Sequence, residues 1–188
     1  MINMNENEWT KSICELLQNK LGDNIYIDVF RKIPYALEYL EFDENIKGVK
    51  TNIQEFETDL LIYEKFENSI KPRVIIESKI QSVTTHDAIT YSYKASCHKN
   101  VIPYLRYGIM LGNRGEYPLP GRLFRHGTNF DFLINFKGYE LSNTEKESFI
   151  AMLKREIDYS RKFEEILKNS RKKDRKHYFM LQKDFHLE

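Results

Sequence analysis

The spacing of apolar residues predicts that the chain begins with an amphipathic helix over Asn5–Leu21. Its apolar side chains recur every three or four residues and would form one stripe. Asn5 is suited to cap this helix, with Glu8 in the capping-box position, and Gly22 is suited to end it. Glu15 falls nearly opposite the stripe, so we expect it to face solvent.

A strand is predicted next, over Asn24–Ile33, where apolar and polar residues alternate. Pro34 is expected to end this strand. From Tyr35 to Lys50 the sequence is acidic and irregular. This stretch predicts a short helix and a loop, and it has no assigned function.

Two further strands joined by a polar turn are predicted in the middle of the chain. The first strand covers Phe56–Tyr63, the turn covers Glu67–Pro72 and the second strand covers Arg73–Ile80. Side chains alternate between the two faces of a strand. A hairpin of this length can therefore bring polar side chains from both strands together on one face.

Beyond this hairpin, helical and strand patterns alternate. The predicted elements are a helix from Thr84 or Thr85 to Pro103, a strand over Tyr104–Gly112, a loop or short hairpin over Asn113–Gly127, a strand over Phe130–Phe136, and a long helix from the Ser142 capping box to about Asn169. The order over residues 5–112 is helix, strand, strand, strand, helix, strand. We therefore predict a single α/β domain, with a core over about residues 5–136 and a C-terminal long helix and basic tail over about 142–188.

Composition agrees with a globular protein of one domain. The chain has 188 residues, of which 41% are apolar and 30% charged. It has no apolar run of the ~20 residues that a membrane-spanning helix needs, and the polar N-terminus is unlike a signal peptide. Cys14 and Cys97 form no metal-binding or redox pair, so we expect a reducing cytoplasm.

The net charge of +1 hides an asymmetry between the two parts of the chain. Residues 1–68 contain 7 basic and 14 acidic side chains, whereas residues 69–188 contain 22 basic and 14 acidic ones. The basic part has cations interleaved with aromatic residues: Lys94, Lys99, Arg106, Arg114, Arg122 and Arg125. Such a pattern is typical of phosphate-backbone contacts, although a solvated surface explains each basic stretch about equally well.

Three charged residues of the central hairpin are candidates for chemistry. Asp59 of the first strand is expected to lie beside Glu77 and Lys79 of the second. Two carboxylates in a partly desolvated place repel each other, and a hard divalent cation such as Mg²⁺ relieves that repulsion. An ordinary solvated Glu-x-Lys pair is the alternative. The apolar run Val-Ile-Ile before Glu77 favours a functional site.

Asp59 and the run Glu77-Ser78-Lys79 resemble the active-site motif of the PD-(D/E)xK nuclease superfamily. Thr58 departs from the pattern, because the family often has proline there. The resemblance implies a restriction-endonuclease-like fold with an αβββαβ core, in which helices flank a mixed central sheet. It also implies a metal-dependent endonuclease, in particular a type II restriction endonuclease.

The resemblance gives each residue of the motif a role. Asp59, Glu77 and the backbone carbonyl of Ser78 would bind Mg²⁺, and Lys79 would position the attacking water. Glu57 is expected to share the face of Asp59 and is a candidate helper. The candidate substrate-binding residues are Gln81, Lys94, Arg114, Arg122 and Arg125.

Double-stranded DNA is the expected substrate, and a homodimer is expected, for which the long C-terminal helix offers an interface. We expect no membrane partner and no nucleotide cofactor, since the chain lacks a phosphate-binding glycine loop. Two alternatives remain. One is another nuclease of the superfamily, such as a Holliday-junction resolvase, a repair nuclease or a transposon-end nuclease. The other is a non-catalytic DNA-binding protein with the same fold.

Overall fold

The structure is a computed structural model that describes residues 4–176. Its elements, in chain order, are α1 (Glu6–Leu17), β1 (Ile25–Phe42), β2 (Val49–Phe66), β3 (Ser69–Ile80), α2 (Thr85–Val101), β4 (Arg106–Gly112), α3 (Gly121–His126), β5 (Phe132–Asn135) and α4 (Asn143–Asn169). The predicted order of the first six elements is confirmed. The last residues of the predicted basic tail, 177–188, lie outside the described residues.

The first helix begins as predicted and ends earlier. Asn5 and Glu8 form a reciprocal capping box at its N-terminus. The helix stops at Leu17, four residues before the predicted end, and Gln18 is its C-cap. Gly22 lies in the following turn with a φ of +120°, a conformation that favours glycine.

The prediction that Pro34 ends the first strand was wrong. Pro34 lies inside the 18-residue strand β1, opposite Glu55 of β2, next to a register shift between Pro34 and Ala36. β1 is an edge strand of the sheet, and an edge strand beside a bulge tolerates the missing N–H of proline.

The short helix and loop predicted over Tyr35–Lys50 was also wrong. Residues 35–42 continue β1, and from Val49 the chain returns as β2, paired with β1. The two strands form a ribbon, and we call residues 36–55 the arm. A tight turn at residues 67–68, shorter than the predicted 67–72, connects β2 to β3.

The five strands form one mixed sheet in the order β1-β2-β3-β4-β5. The pairs β1/β2 and β2/β3 are antiparallel, and the pairs β3/β4 and β4/β5 are parallel. The helix α2 connects the parallel strands β3 and β4. Its buried small residues Ala88, Ser92 and Ala95 allow it to pack closely.

Hydrophobic cores lie on both faces of the sheet. On one face, Trp9 of α1 and Leu153 of α4 pack with Ile76 and Met110 of the central strands. On the other face, residues of α2 and α3 pack with the opposite side chains of β3 and β4, such as Ile75 and Ile109. The molecule is therefore an α/β domain in which helices cover a mixed five-stranded sheet.

The C-terminal part contains one helix that the sequence did not predict. The stretch Asn113–Gly127, predicted as a loop or short hairpin, includes the short helix α3. The Ser142 capping box and the long helix to Asn169 are confirmed. Within residues 4–176, no helix is both long and apolar enough to cross a membrane.

Candidate active site

The structure places Asp59 and Glu77 side by side at the point where β2 and β3 separate. The pairing between these strands begins at Leu60 and Ile76 and continues away from the site. The carboxylate of Asp59 fills the gap, because its Oδ2 accepts a hydrogen bond from the backbone N–H of Ser78 at 2.7 Å. Asp59 also lies within hydrogen-bonding contact of Glu77.

An irregularity in β1 lies directly across from Asp59. Val29 pairs with Leu60 and Arg31 pairs with Thr58, which leaves Phe30 opposite Asp59. Phe30 has a φ of +56°, a conformation that costs a bulky side chain about 1–3 kcal/mol. This backbone outlier therefore marks the place where the two strands are held in an unusual geometry beside the carboxylates.

Glu77 is buried, with 1% of its surface exposed. The Tyr107 hydroxyl donates a hydrogen bond to its Oε1, and Lys94 Nζ lies 4.0 Å from the same oxygen. Burial raises the pKa of Glu77 and the negative charge of Asp59 adds to this, whereas Lys94 and Tyr107 oppose it. The resulting pKa is about 7, so Glu77 is close to half protonated at neutral pH.

Lys79 is held at the edge of this site by α1. Its Nζ donates to Glu6 Oε1 at 2.7 Å and lies 5.2 Å from the centre of the Tyr91 ring. Burial lowers the pKa of Lys79, but hydrogen bonds with Glu6 and Tyr91 outweigh burial and raise it. Lys79 therefore stays protonated at neutral pH and can donate hydrogen bonds, but it cannot act as a base.

Lys94 points into the site. Besides its approach to Glu77, its ammonium lies over the rings of Phe56 at 5.2 Å and Tyr91 at 5.3 Å. Its side chain is 20% exposed. A cation in this position partly neutralises the carboxylate pair and still reaches the surface.

Two of the candidate DNA-binding arginines also support loops beside the site. Arg114 donates to the backbone carbonyls of Gln81 and Pro118, and Arg122 donates to the carbonyl of Val83 at 3.1 Å. Gln81 is exposed and has a φ of +61°, and the hydrogen bond from Arg114 to its carbonyl helps to hold this strained backbone.

Arg125 is exposed on α3. Two other cations of the predicted basic stretch are engaged elsewhere, because Lys99 and Arg106 form ion pairs with Asp131 at 2.8 and 2.9 Å. The basic stretch therefore divides into cations near the site and cations that hold the far end of β4.

Glu57, the candidate helper, is exposed in the structure. Its neighbour Phe56 faces α2, where it contacts Lys94 and the ring of His98. Alternation counted from Phe56 would point Glu57 away from α2, whereas alternation counted from Asp59 would point it towards α2. The helper role of Glu57 therefore stays a prediction.

Several residues of the site were missed by sequence reasoning. Glu6, rather than Glu15, is the residue of α1 that reaches the site, and Glu15 is exposed as expected. Tyr107 and Tyr91 complete the surroundings of Glu77 and Lys79. Of these residues, only Tyr107 could have been found from the sequence. It lies in the strand predicted over Tyr104–Gly112, where alternation with Gly108 assigns its side chain to one face of the sheet.

The carboxylates of Asp59 and Glu77 provide the oxygen ligands that a hard divalent cation requires, although they are only two. Asp59 and Glu77 bring carboxylate oxygens together, and their repulsion is relieved by a proton or by a cation. Within residues 4–176, no group of three or more His, Cys, Asp or Glu side chains is arranged to hold a metal ion. A metal here would therefore depend on two carboxylates, backbone oxygen, water and substrate.

Comparison with known protein families and with curated proteins finds no match for this chain.

Proposed function

We propose that this chain is a metal-dependent endonuclease that hydrolyses phosphodiester bonds in double-stranded DNA, as type II restriction endonucleases of the PD-(D/E)xK superfamily do. The observation that carries the proposal is the state of Glu77. This carboxyl is buried against Asp59, and its pKa is raised to about 7. A carboxyl that is buried beside a second carboxylate is costly unless a proton or a cation neutralises it, and carboxyl groups with such raised pKa values are typical of functional sites.

Asp59, Glu77 and the backbone carbonyl of Ser78 would hold Mg²⁺. When bound, Mg²⁺ would polarise the scissile phosphate and make water a better nucleophile. Tyr107 and Lys94 orient Glu77, because both approach the same oxygen, Oε1. Its other oxygen, Oε2, is therefore the one better placed for a ligand.

Lys79 acts as a fixed cation in this proposal. Its raised pKa keeps the ammonium charged, so it donates hydrogen bonds to the attacking water or to a phosphate oxygen. That charge stabilises the negative charge on the oxygens around the phosphorus in the transition state. Glu6 positions Lys79 from α1, at a distance of 2.7 Å.

The DNA contacts of the proposal lie around this site. Lys94, Arg125 and Gln81 offer polar side chains that are partly or fully exposed, and Arg114 and Arg122 shape the adjoining loops. A homodimer suits a substrate with two-fold sequence symmetry, because each protomer would meet one half-site.

The proposal is tested by incubating the protein with plasmid, linear and branched DNA, in Mg²⁺ or in EDTA. Discrete fragments from linear duplex that require Mg²⁺ are the expected result. Cleavage of branched DNA alone would support a junction-resolving nuclease of the same superfamily. Binding without cleavage under all conditions would support a non-catalytic DNA-binding protein.

Substitutions identify the residues responsible. Asp59→Ala, Glu77→Ala and Lys79→Ala should each reduce cleavage by about 10²-fold or more, because each removes a group that acts on the transition state. Glu147→Ala is the control, as it removes an exposed carboxylate from α4, outside the proposed site. Cleavage by all four variants at the rate of the parent protein would show that the site is assigned wrongly.

A further inference from the structure

The arm exposes an unusual share of the large apolar residues. Of the seventeen exposed large hydrophobic residues in the described part of the chain, seven lie in the arm: Leu37, Tyr39, Leu40, Phe42, Ile46, Val49 and Ile53. Ile46 at the tip is 75% exposed. Exposed apolar residues that are concentrated in one segment are typical of an interaction surface.

The arm also has little support from the rest of the sheet. Pairing between β2 and β3 begins only at Leu60, so among the described strands β1 alone lies beside the β2 half of the arm. An isolated two-stranded ribbon is marginally stable in water, and its open edges are prone to pair. A partner that covers the arm would remove both weaknesses.

Charge indicates what kind of partner fits. Residues 36–55 contain five acidic and two basic side chains. Such a surface repels the phosphates of nucleic acid and attracts a basic surface with apolar residues of its own.

The opposite end of the molecule has that chemistry. At the turn between β2 and β3, Phe66 and Ile70 are 41% and 44% exposed, and Ile166 and Leu167 of α4 are 38% and 48% exposed. Residues 161–176 contain eight basic and three acidic side chains. A shallow, open cleft of about 340 Å³ lies at this end, lined by Lys71, Arg161, Lys168 and Lys172 together with Glu164 and Glu165. We call residues 66–71 and 161–176 the basic end.

The two surfaces cannot meet within one chain. They lie at opposite ends of β2, between Val49 and Phe66, which corresponds to about 55 Å of extended strand. We propose that the arm of each chain docks on the basic end of a second copy of the same chain, so that two copies form a closed dimer with two-fold symmetry.

Two-fold symmetry satisfies both surfaces of both copies. When two chains lie side by side with their β2 strands in opposite directions, each arm reaches the basic end of the other chain, and no copy of either surface is left open. A head-to-tail arrangement would leave one arm free and would continue into a polymer. This inference defines the interface of the proposed homodimer, but it does not depend on nuclease activity.

The pairing of the arm with the basic end is tested by reversing the charge of each surface in a separate variant and then mixing the two variants. The arm variant carries Glu44→Lys and Glu55→Lys, and the basic-end variant carries Lys172→Glu and Lys173→Glu; all four residues are exposed. Sedimentation velocity should show a dimer for the parent, and the dimer dissociation constant of each variant alone should rise by about tenfold or more. An equimolar mixture of the two variants should form a heterodimer, because each arm then meets a basic end of opposite charge.

The matched control carries Glu15→Lys and Glu140→Lys, two exposed residues outside the arm, and should dimerise as the parent does. Circular dichroism checks that all variants are folded. A monomeric parent, an open polymer, or a mixture that associates no better than the separate variants would overturn the inference. DNA cleavage is measured in parallel on the same samples. A dimer without cleavage would contradict the proposed function alone, and cleavage without a dimer would contradict this inference alone.

Discussion

Glu77 makes the stability of the protein depend on pH. Folding raises its pKa from an ordinary value of 4.5 to about 7, so between these values the folded chain holds a proton that the unfolded chain releases. The stabilisation is complete below pH 4.5 and is lost as the pH rises through 7. Its size is on the order of 3 kcal/mol.

Glu77→Gln should remove this dependence. Glutamine has the shape of the protonated acid and cannot lose the proton, so the variant should gain stability relative to the parent as the pH rises from 4.5 to 8. Denaturant unfolding across this range, without divalent metal, measures the difference. Glu57→Gln, at an exposed site, should follow the parent. A constant difference between Glu77→Gln and the parent would contradict the raised pKa.

Tyr107 should matter through its hydroxyl. Tyr107→Phe removes the donor to Glu77 Oε1 and leaves a buried acceptor unpaired, which costs about 1–3 kcal/mol. Since this hydrogen bond lowers the pKa of Glu77, its loss should raise that pKa further. Denaturant unfolding and carboxyl NMR titration measure the two effects. Tyr117→Phe, at a residue 72% exposed, should change neither. An unchanged Glu77 titration in Tyr107→Phe would mean that the hydrogen bond is absent in solution.

The proximity of Asp59 and Glu77 could be predicted from the sequence, because the two residues lie on consecutive strands joined by a short turn. It could not find Glu6, since the contact between Glu6 and Lys79 depends on the angle at which α1 crosses the sheet. That angle is set by packing of Trp9 and its neighbours. The helical period of 100° per residue identifies the buried face of α1. It does not show which end of the helix lies beside Asp59 and Glu77.

At the scale of elements, Gly112 sets how closely α1 approaches the sheet. A Cβ atom at this position would lie 2.5 Å from the ring of Trp9, which is fully buried. Gly112→Ala should therefore push α1 outward, cost about 1–3 kcal/mol and weaken the contact between Glu6 and Lys79.

Denaturant unfolding and cleavage assays measure this effect. Gly121→Ala is the control, because its Cβ would meet only the flexible end of Arg125, at 3.2 Å, in the first turn of α3. Equal stability of Gly112→Ala and Gly121→Ala would show that α1 can shift at no cost.

The arm shows why elements are harder to predict where long-range pairing decides the structure. Tyr35–Lys50 has a proline before it, many acidic residues and no regular alternation, all of which argue against a strand. Pairing with residues of β2 and the register shifts at Pro34 and Leu37 nevertheless keep it extended. The capping boxes at Asn5 and Ser142 were predictable because each depends on four consecutive residues.

At the scale of the whole molecule, buried ion pairs fasten α4 to the sheet. Arg73 of β3 is 2% exposed and pairs with Glu64 of β2 and with Glu164 of α4 at 2.6 and 2.8 Å. Burial alone would raise the pKa of Glu164, but hydrogen bonds with Lys168, Lys71 and Arg73 outweigh it and lower the pKa to about 2.

The docking of α4 should therefore be sensitive to acid. The stabilisation from Glu164 is complete above pH 4.5 and is lost as the pH falls toward 2. Glu164→Gln should be less stable than the parent at pH 7, and this difference should shrink at pH 3. Unfolding curves at both pH values measure it, with the exposed Glu147→Gln as control. A difference that persists at pH 3 would assign the loss to packing instead of charge.

The unequal support along β2 has a consequence for local unfolding. Leu60 and Ile62 are fully buried between two partner strands, whereas Val49 and Ile53 are about half exposed in a two-stranded ribbon. Backbone amides near Leu60 should exchange with deuterium only when the whole domain unfolds, while those of the arm should exchange after opening of the ribbon alone. A single strand would then contain both the slowest and some of the fastest exchanging amides of the sheet, and a partner seated on the arm would slow only the fast ones.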